Sequence, residues 1–333
     1  MLIDLHPANR VLDETLRERF NGTPEKLGQL KLADFDGVSY KVSTPDSKTV
    51  LHVSMYIACF AQLRAYGADD VLRREYGNLL EQTPEDGFDV TVKIDLENLP
   101  ENKEDLIRKV SLLKRNALAA PFERAFTAQQ EGNESELMVI QYRPDEAFYI
   151  KAQHDRVTVI FSTVFSEETD RIFGKVFLQE FVDARRSPAT QNAPQVLYSA
   201  REPPMELRGL PNVVESENVG FVTFVLFPRH FVGPAAEGCI SRIQLFRDYL
   251  HYHIKASKAY MHSRLRIRVD SFLKVLNRAR PEQPDDKKEK KTASGKTFTR
   301  KETIGRPLSP VHDLSSHFQD PLHNPSTYGH CHL

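Results

Sequence analysis

Hydrophobic and polar residues alternate along several short stretches of the first 125 residues, which predicts β-strands. The alternation is clearest in Val38–Val42, Leu51–Ile57 and Phe88–Ile94. A helical stretch is predicted from about Ala58 to Leu80. A further helix is predicted from Lys103 to Ala120, where Pro121 should end or kink it. This part of the chain is predicted to be a mixed α/β domain.

The second half of the chain begins with a series of predicted strands. They are Leu137–Arg143, Ala147–Lys151, Arg156–Phe165, Arg171–Phe181 and Phe221–Phe227. Short turns separate the first four, which indicates an antiparallel sheet. The predicted fold class is α+β: two α/β sandwich-like domains, each a mainly antiparallel sheet packed by helix, with a long C-terminal helix.

That C-terminal helix is predicted from the absence of Gly and Pro between Cys239 and Arg280. Its length would be about 60 Å. A partner-helix seam follows helical spacing along it, at Phe246, Leu250, Ile254, Met261 and Leu265. One end can pack on the chain's own sheet. The far end needs a partner, because isolated helical turns are marginally stable in water.

These elements divide the chain into four predicted parts. Residues 1–125 form the first α/β domain and residues 126–233 the second. Residues 234–281 form the long helix. Residues 282–333 follow a sharp change to charged residues, proline, serine and threonine, which predicts a largely disordered tail.

The composition is that of a globular protein and does not identify a function. Charged residues make up 27% of the chain and the formal net charge is -1, which is typical of a globular protein. Three distant cysteines give no disulfide framework and no zinc-finger spacing. No secretory signal and no membrane-length apolar run is evident, so we expect a cytoplasmic protein without membrane insertion.

One motif suggests catalysis. Asp34 and Asp36, in Asp-Phe-Asp-Gly, are spaced as in the nucleophile loop of haloacid-dehalogenase-like phosphatases, which hold magnesium. A magnesium-dependent phosphatase is therefore the alternative function. Such enzymes need a second acidic pair after a distant strand, and Asp69-Asp70 lies in a predicted helix instead. A polar turn before the strand at Val38 is the competing interpretation.

Other motifs give no support for catalysis or for a bound cofactor. Gly295-Lys296-Thr297 lacks the earlier glycine and the strand of a phosphate-binding loop. His251 and His253 point to different faces of a helix. We therefore predict no metal, no cofactor and no enzymatic activity.

The charge of the long helix is one-sided. Ten cations and two carboxylates lie between Cys239 and Arg280, a net charge of about +8. Such a stripe favours an acidic partner. Nucleic acid, an anionic membrane and an acidic protein all meet this requirement, although no known nucleic-acid module accompanies the stripe.

The sequence resembles the subunit 2 family of the actin-related protein 2/3 complex, a seven-subunit assembly that nucleates branched actin filaments. The resemblance is carried by Ala33–Val38, Asp95–Pro100, Leu113–Asn116, Asp155–Phe165, Ala193–Leu197, Arg201–Pro204, Thr223–His230, Phe246–Lys255, Phe272–Pro281 and Gly295–Phe298. These stretches occur in order over residues 10–298.

The resemblance implies a structural subunit whose long helix pairs with the corresponding helix of subunit 4. It also implies contact with the side of the mother filament, whose surface is acidic, and a place in leading-edge and cortical actin networks. It implies no nucleic acid and no bound nucleotide. The residues predicted for contact with actin or a partner are Lys255, Lys258, Arg264, Arg266, Lys274, Arg278 and Arg280.

Overall fold

The structure is a computed structural model that describes residues 5–23, 25–211, 213–279, 290–291 and 297–298. Its contacts divide the chain into two compact units between Lys258 and Ala259. The first unit contains two sheets and their helices. The second contains the end of the long helix and a short antiparallel pair of strands, Lys290–Lys291 and Thr297–Phe298.

The first sheet is antiparallel, and its four strands lie side by side in chain order. They are β1 (Leu30–Ala33), β2 (Ser39–Ser43), β3 (Val50–Tyr56) and β4 (Val90–Asp95). Val42, Val53 and Val92 pair across β2, β3 and β4, and all three side chains are fully buried. The hydrophobic face thus fixes the register, because a shift of one residue would expose it.

Five helices accompany this sheet: α1 (Arg10–Asn21), α2 (Phe60–Ala65), α3 (Ala68–Tyr76), α4 (Lys103–Ser111) and α5 (Leu113–Gln130). Asn9 caps α1 by accepting a hydrogen bond from the Leu12 amide at 2.9 Å. The helical stretch predicted between Ala58 and Leu80 is two helices, because Gly67 adopts φ +100° between them.

Pro121 does not end a helix, so that part of its prediction is wrong. It lies inside α5, and the break falls earlier, at Leu112 between α4 and α5. Ala119, Ala120 and Phe122 around it are buried. Tertiary packing therefore maintains the helix despite the hydrogen bond that proline cannot make.

The second sheet is also antiparallel, as the short turns predicted. Its strand order is β5-β6-β7-β9-β8. The strands are β5 (Met138–Ile140), β6 (Phe148–Ala152), β7 (Val157–Val164), β8 (Gln195–Ala200) and β9 (Val219–Leu226). The two antiparallel sheets confirm the predicted α+β class.

The strand predicted at Arg171–Phe181 is wrong, because this segment lies within helix α6 (Glu168–Ala184). Phe173, Phe177 and Phe181 recur every four residues and pack against the core from one face. Glu168 and Asp170 occupy the first turn, where carboxylates stabilise a helix.

The predicted long helix is preceded by a short one, α7 (Pro228–Phe231), and is interrupted at Leu245. Helix α8 spans Ala235–Gln244 and helix α9 spans Phe246–Arg278. In the first unit, the Phe246 ring packs edge-on against Phe224 of β9, with the ring centroids 4.7 Å apart. The start of α9 is thus part of the core of the second sheet.

We expect Gly174→Ala to destabilise the chain by about 1–3 kcal/mol. The added Cβ would lie 2.7 Å from the Phe165 ring and 3.3 Å from Cδ1 of Ile254. Both side chains are buried, so neither can turn away. Urea unfolding monitored by circular dichroism would measure the change.

Gly238→Ala in α8 is the matched control. Apart from its chain neighbours and the backbone of its own helix, no heavy atom lies within 4 Å of its added Cβ. It should stabilise the chain by about 0.5–1 kcal/mol, the usual gain for alanine over glycine in a helix. Equal stabilisation by both substitutions would contradict the packing of α6 on Phe165.

Candidate partner-binding surface and buried charge cluster

The part of α9 in the second unit exposes large apolar side chains. Met261, Leu265, Phe272 and Leu276 share one helical face, since they are four, seven and four residues apart. Each is at least 48% exposed. We call these four residues the α9 apolar face.

A second set of apolar residues lies away from that face. Tyr260, Ile267 and Val275 are also well exposed. A helix that is apolar on several sides is normally buried by other chains or by its own protein. This segment therefore has the composition of an interface.

Cations are interspersed among these apolar residues. Residues 259–278 contain five cations and one carboxylate, a net charge of about +4. The Arg264 guanidinium lies over the Tyr260 ring, 5.5 Å from its centroid, and donates a hydrogen bond to the Tyr260 hydroxyl at 2.6 Å. Lys274 pairs with Asp270 at 2.7 Å, which neutralises its charge.

The predicted contact residues fall into different environments. Lys255, Arg264, Arg266 and Arg278 are exposed, whereas Arg280 lies outside the described residues. Lys258 is held by carboxylates of its own unit, Glu167 at 2.5 Å and Asp170 at 2.6 Å. Spacing and charge alone gave no sign of this pairing.

The predicted seam is likewise divided. Phe246, Leu250 and Ile254 are at most 5% exposed and already pack in the core of the first unit. Their side chains are already covered by the chain itself, so we do not propose them for contact with a partner. Met261 and Leu265 are exposed and remain available.

The Asp-Phe-Asp-Gly motif forms a turn rather than a catalytic loop. Asp36 adopts φ +64° and Gly37 φ +70°, so the chain reverses direction between β1 and β2. Asp34 stabilises this turn by accepting hydrogen bonds from the Phe35 amide at 2.6 Å and from Asn9 at 3.0 Å.

Both carboxylate oxygens of Asp36 are occupied by cations. Arg143 donates from Nε at 2.8 Å, and Lys114 Nζ lies 3.3 Å away. Burial alone would raise the pKa of Asp36, but Lys114 and Arg143 hold it below its ordinary value. No cluster with the composition of a metal site occurs among the described residues. The phosphatase alternative is thus unsupported.

A second buried ion pair adjoins this turn. Glu146 is 4% exposed, accepts from Arg247 Nε at 2.5 Å and accepts from the Val164 amide at 2.9 Å. Arg143 links the two groups, since its Nε is 3.5 Å from Glu146. We call Asp36, Lys114, Arg143, Glu146 and Arg247 the buried charge cluster; Glu146 is buried and the other four side chains are partly buried. It ties the β1–β2 turn, α5 and the β5–β6 turn to the start of α9.

These features define a class of protein, namely a structural subunit of a larger assembly. The carboxylates of the predicted catalytic motif are occupied within a turn, and the long helix exposes apolar and basic side chains. Among the described residues, no helix is both long and apolar enough to cross a membrane.

Comparison with known proteins identifies the family. The sequence model of the family described as "Arp2/3 complex, 34 kD subunit p34-Arc" matches residues 53–283. A Schizosaccharomyces pombe relative named Actin-related protein 2/3 complex subunit 2 is 49% identical, over 90% of this chain and 100% of its own length. A Dictyostelium discoideum relative of the same name is 43% identical, over 90% and 99%. The chain belongs to the P34-Arc family, which makes it a structural subunit and not an enzyme.

The carboxyl group of Asp248, beside the cluster, should make the free energy of unfolding depend on pH. Burial, and then the nearby Asp36, raise the pKa of Asp248 to about 6. The unfolded chain, in which this carboxyl has its ordinary pKa of 3.8, releases the proton at a lower pH than the native chain. Folding is therefore opposed increasingly between about pH 4 and pH 6, and by a constant amount above pH 6. Asp248→Asn should be more stable than the parent above pH 6, by up to roughly 3 kcal/mol. Below pH 4 the two should be equally stable.

Urea unfolding at both pH values would measure this difference, with Asp70→Asn as the control. The Asp70 side chain is 83% exposed, so its substitution should change little at either pH. A stability difference between Asp248→Asn and the parent that is the same at both pH values would contradict the prediction.

Proposed function

We propose that this chain is a scaffold subunit of the actin-related protein 2/3 complex that lies against the mother filament while branched actin filaments are nucleated. The exposed helix of residues 259–278 carries the proposal. At about 30 Å it is long enough to span a small domain. Its apolar side chains suit a contact that excludes water, and its basic side chains suit a contact with an acidic surface.

The apolar contact is proposed to be a paired helix. The α9 apolar face has the spacing that packs against another helix, and burying one such side chain stabilises a protein by about 1.5–3 kcal/mol. We propose the corresponding helix of subunit 4 as the occupant, as the family resemblance implies. The other subunits would assemble around this pair.

The basic contact is proposed to be the actin filament. Within the described part of the chain, no carboxylate lies at ion-pair distance from Lys255, Arg264, Arg266 or Arg278. Lys258 and Lys274 already have carboxylate partners, so they contribute less net charge. Among the residues predicted for contact, these four cations are unneutralised, and we take them as the proposed filament-binding residues.

A member of this family belongs to the cytoplasmic actin cytoskeleton. We propose leading-edge and cortical networks, including those of cell projections, as its particular location. The proposal requires no cofactor, because subunit pairing and filament contact are binding events.

Reversing three cations, by Arg264→Glu, Arg266→Glu and Arg278→Glu together, should weaken binding of the complex to actin filaments roughly tenfold or more. Co-sedimentation over a range of salt concentrations would measure it. Binding by the parent should fall as salt rises, because salt screens the attraction. The variant should lose this salt dependence.

Arg10→Glu, Arg64→Glu and Arg73→Glu together form the control, with the same change in net charge. These arginines are also exposed, at 89%, 61% and 69%, but lie on other helices. Equal loss of binding in both triple variants would attribute the effect to overall charge and would refute the role of α9.

Placing charges on the α9 apolar face, by Leu265→Asp and Phe272→Asp together, should prevent the chain from co-purifying with its partner subunit. A buried unpaired carboxylate opposes helix pairing by several kcal/mol. Both positions are exposed in this chain, so its thermal unfolding should change little.

Ile172→Asp and Val176→Asp on α6 provide the comparison, since these residues are exposed to a similar degree. Assembly should survive that pair of substitutions. Normal co-purification of the α9 double variant would exclude the proposed seam.

A further inference from the structure

The loop between α6 and β8 contains a serine flanked by two arginines and a proline: Arg185-Arg186-Ser187-Pro188. Ser187 is exposed and follows the end of α6 at Ala184. Its amide donates to the Ala184 carbonyl at 3.0 Å, and its own carbonyl accepts from the Thr190 amide at 3.1 Å. The backbone of Ser187 is thus held in turns while its hydroxyl faces solvent.

Positive charge without a counter-charge lies beside this loop. Arg185 Nε is buried and has no hydrogen-bond partner. The loop reaches His230, whose Nε2 lies 2.9 Å from the Asn192 carbonyl oxygen. Burial lowers the pKa of His230, and the nearby Arg229 and Arg185 lower it further. Neither arginine has an ion-paired carboxylate in the described part of the chain.

We propose that Ser187 is phosphorylated by a proline-directed serine/threonine protein kinase, and that Arg185 and Arg229 hold the phosphate. The Ser187 hydroxyl oxygen would attack the γ-phosphorus of ATP. A new oxygen–phosphorus bond forms, the bond to the ADP leaving group breaks, and the kinase's catalytic base takes the hydroxyl proton. This inference does not depend on the proposed filament contact.

Other serine–proline and threonine–proline pairs fit less well. They are Thr23-Pro24, Thr44-Pro45, Thr83-Pro84 and Ser309-Pro310. Thr44 is 2% exposed. Thr83 lies among Glu81, Glu85 and Asp86, which would repel a phosphate. Thr23 has no basic residue in the three positions before it, and Ser309 lies outside the described residues.

The negative charge at the C-terminal end of α6 should repel a phosphate on Ser187 only weakly. A helix C-terminus carries about half a negative charge, and Asp183 is already paired with Arg186 at 3.3 Å. A phosphate carries nearly two negative charges and three acceptor oxygens. It would supply the acceptor that Arg185 Nε lacks and a counter-charge for Arg229, whose Nε donates to His230 Nε2 at 3.2 Å but which has no paired carboxylate among the described residues. Phosphorylation should therefore order the loop against α7.

The first test incubates the full chain, alone and in the assembled complex, with ATP, magnesium and a cyclin-dependent kinase. Mass spectrometry should place phosphate on Ser187 in both. Ser187→Ala and Pro188→Ala should remove that modification, whereas Thr83→Ala should leave it unchanged. No phosphate on Ser187, or phosphate on Ser187 only in the isolated chain, would overturn the site.

Hydrogen–deuterium exchange tests the role of the two arginines. Phosphorylation should slow exchange in residues 185–194. Arg229→Gln, which lies outside the kinase motif, should still be phosphorylated but should lose that slowing. Phosphorylation without slower exchange in the parent, or equal slowing in Arg229→Gln, would refute the binding of the phosphate by Arg229.

Discussion

Helix α9 carries more apolar surface than its own chain buries, and the organisation of the protein depends on this imbalance. Leu250 and Ile254 lie in the core of the second sheet, whereas Leu265 and Phe272 remain more than half exposed. Isolated helical turns are marginal in water, so a partner that covers these residues also stabilises the helix. In the proposed pairing, folding of this segment and assembly are linked equilibria, and the stability of the segment depends on the concentration of the partner.

The buried charge cluster holds the start of that helix in place against the second sheet. Buried ion pairs add little net stability, because the cost of desolvation offsets the attraction. Losing one partner is far more costly, since it leaves a buried charge alone. Glu146 and Arg247 therefore penalise any displacement of α9 from the second sheet, and Arg143 extends this restraint to the turn at Asp36. The cluster therefore contributes more to the position of α9 than to the stability of the core.

Sequence patterns predicted most strands correctly. Strands such as β2 bury one face and keep the alternation, whereas β7 and β9 are buried on both faces and appear in the sequence as apolar runs. The prediction fails at α6, where phenylalanines four residues apart form one face of a helix and not a strand, and at Pro121, where surrounding burial outweighs helix propensity. The pairing of Lys258 with Asp170 and the buried pair of Glu146 with Arg247 escaped prediction for another reason. Their partners are 88 and 101 residues apart, and only the completed fold brings them together.

The one-signed charge of α9 also bears on which helix can cover it. Two copies of this helix paired through their apolar faces would bring Arg264, Arg266 and Arg278 of each copy close to those of the other. Such repulsion is strongest where water is excluded, so self-association is disfavoured although the apolar spacing permits it. A different helix without this excess of cations avoids the penalty. In the proposed pairing, apolar spacing provides the attraction, and the unneutralised arginines disfavour a second copy of this chain as the partner.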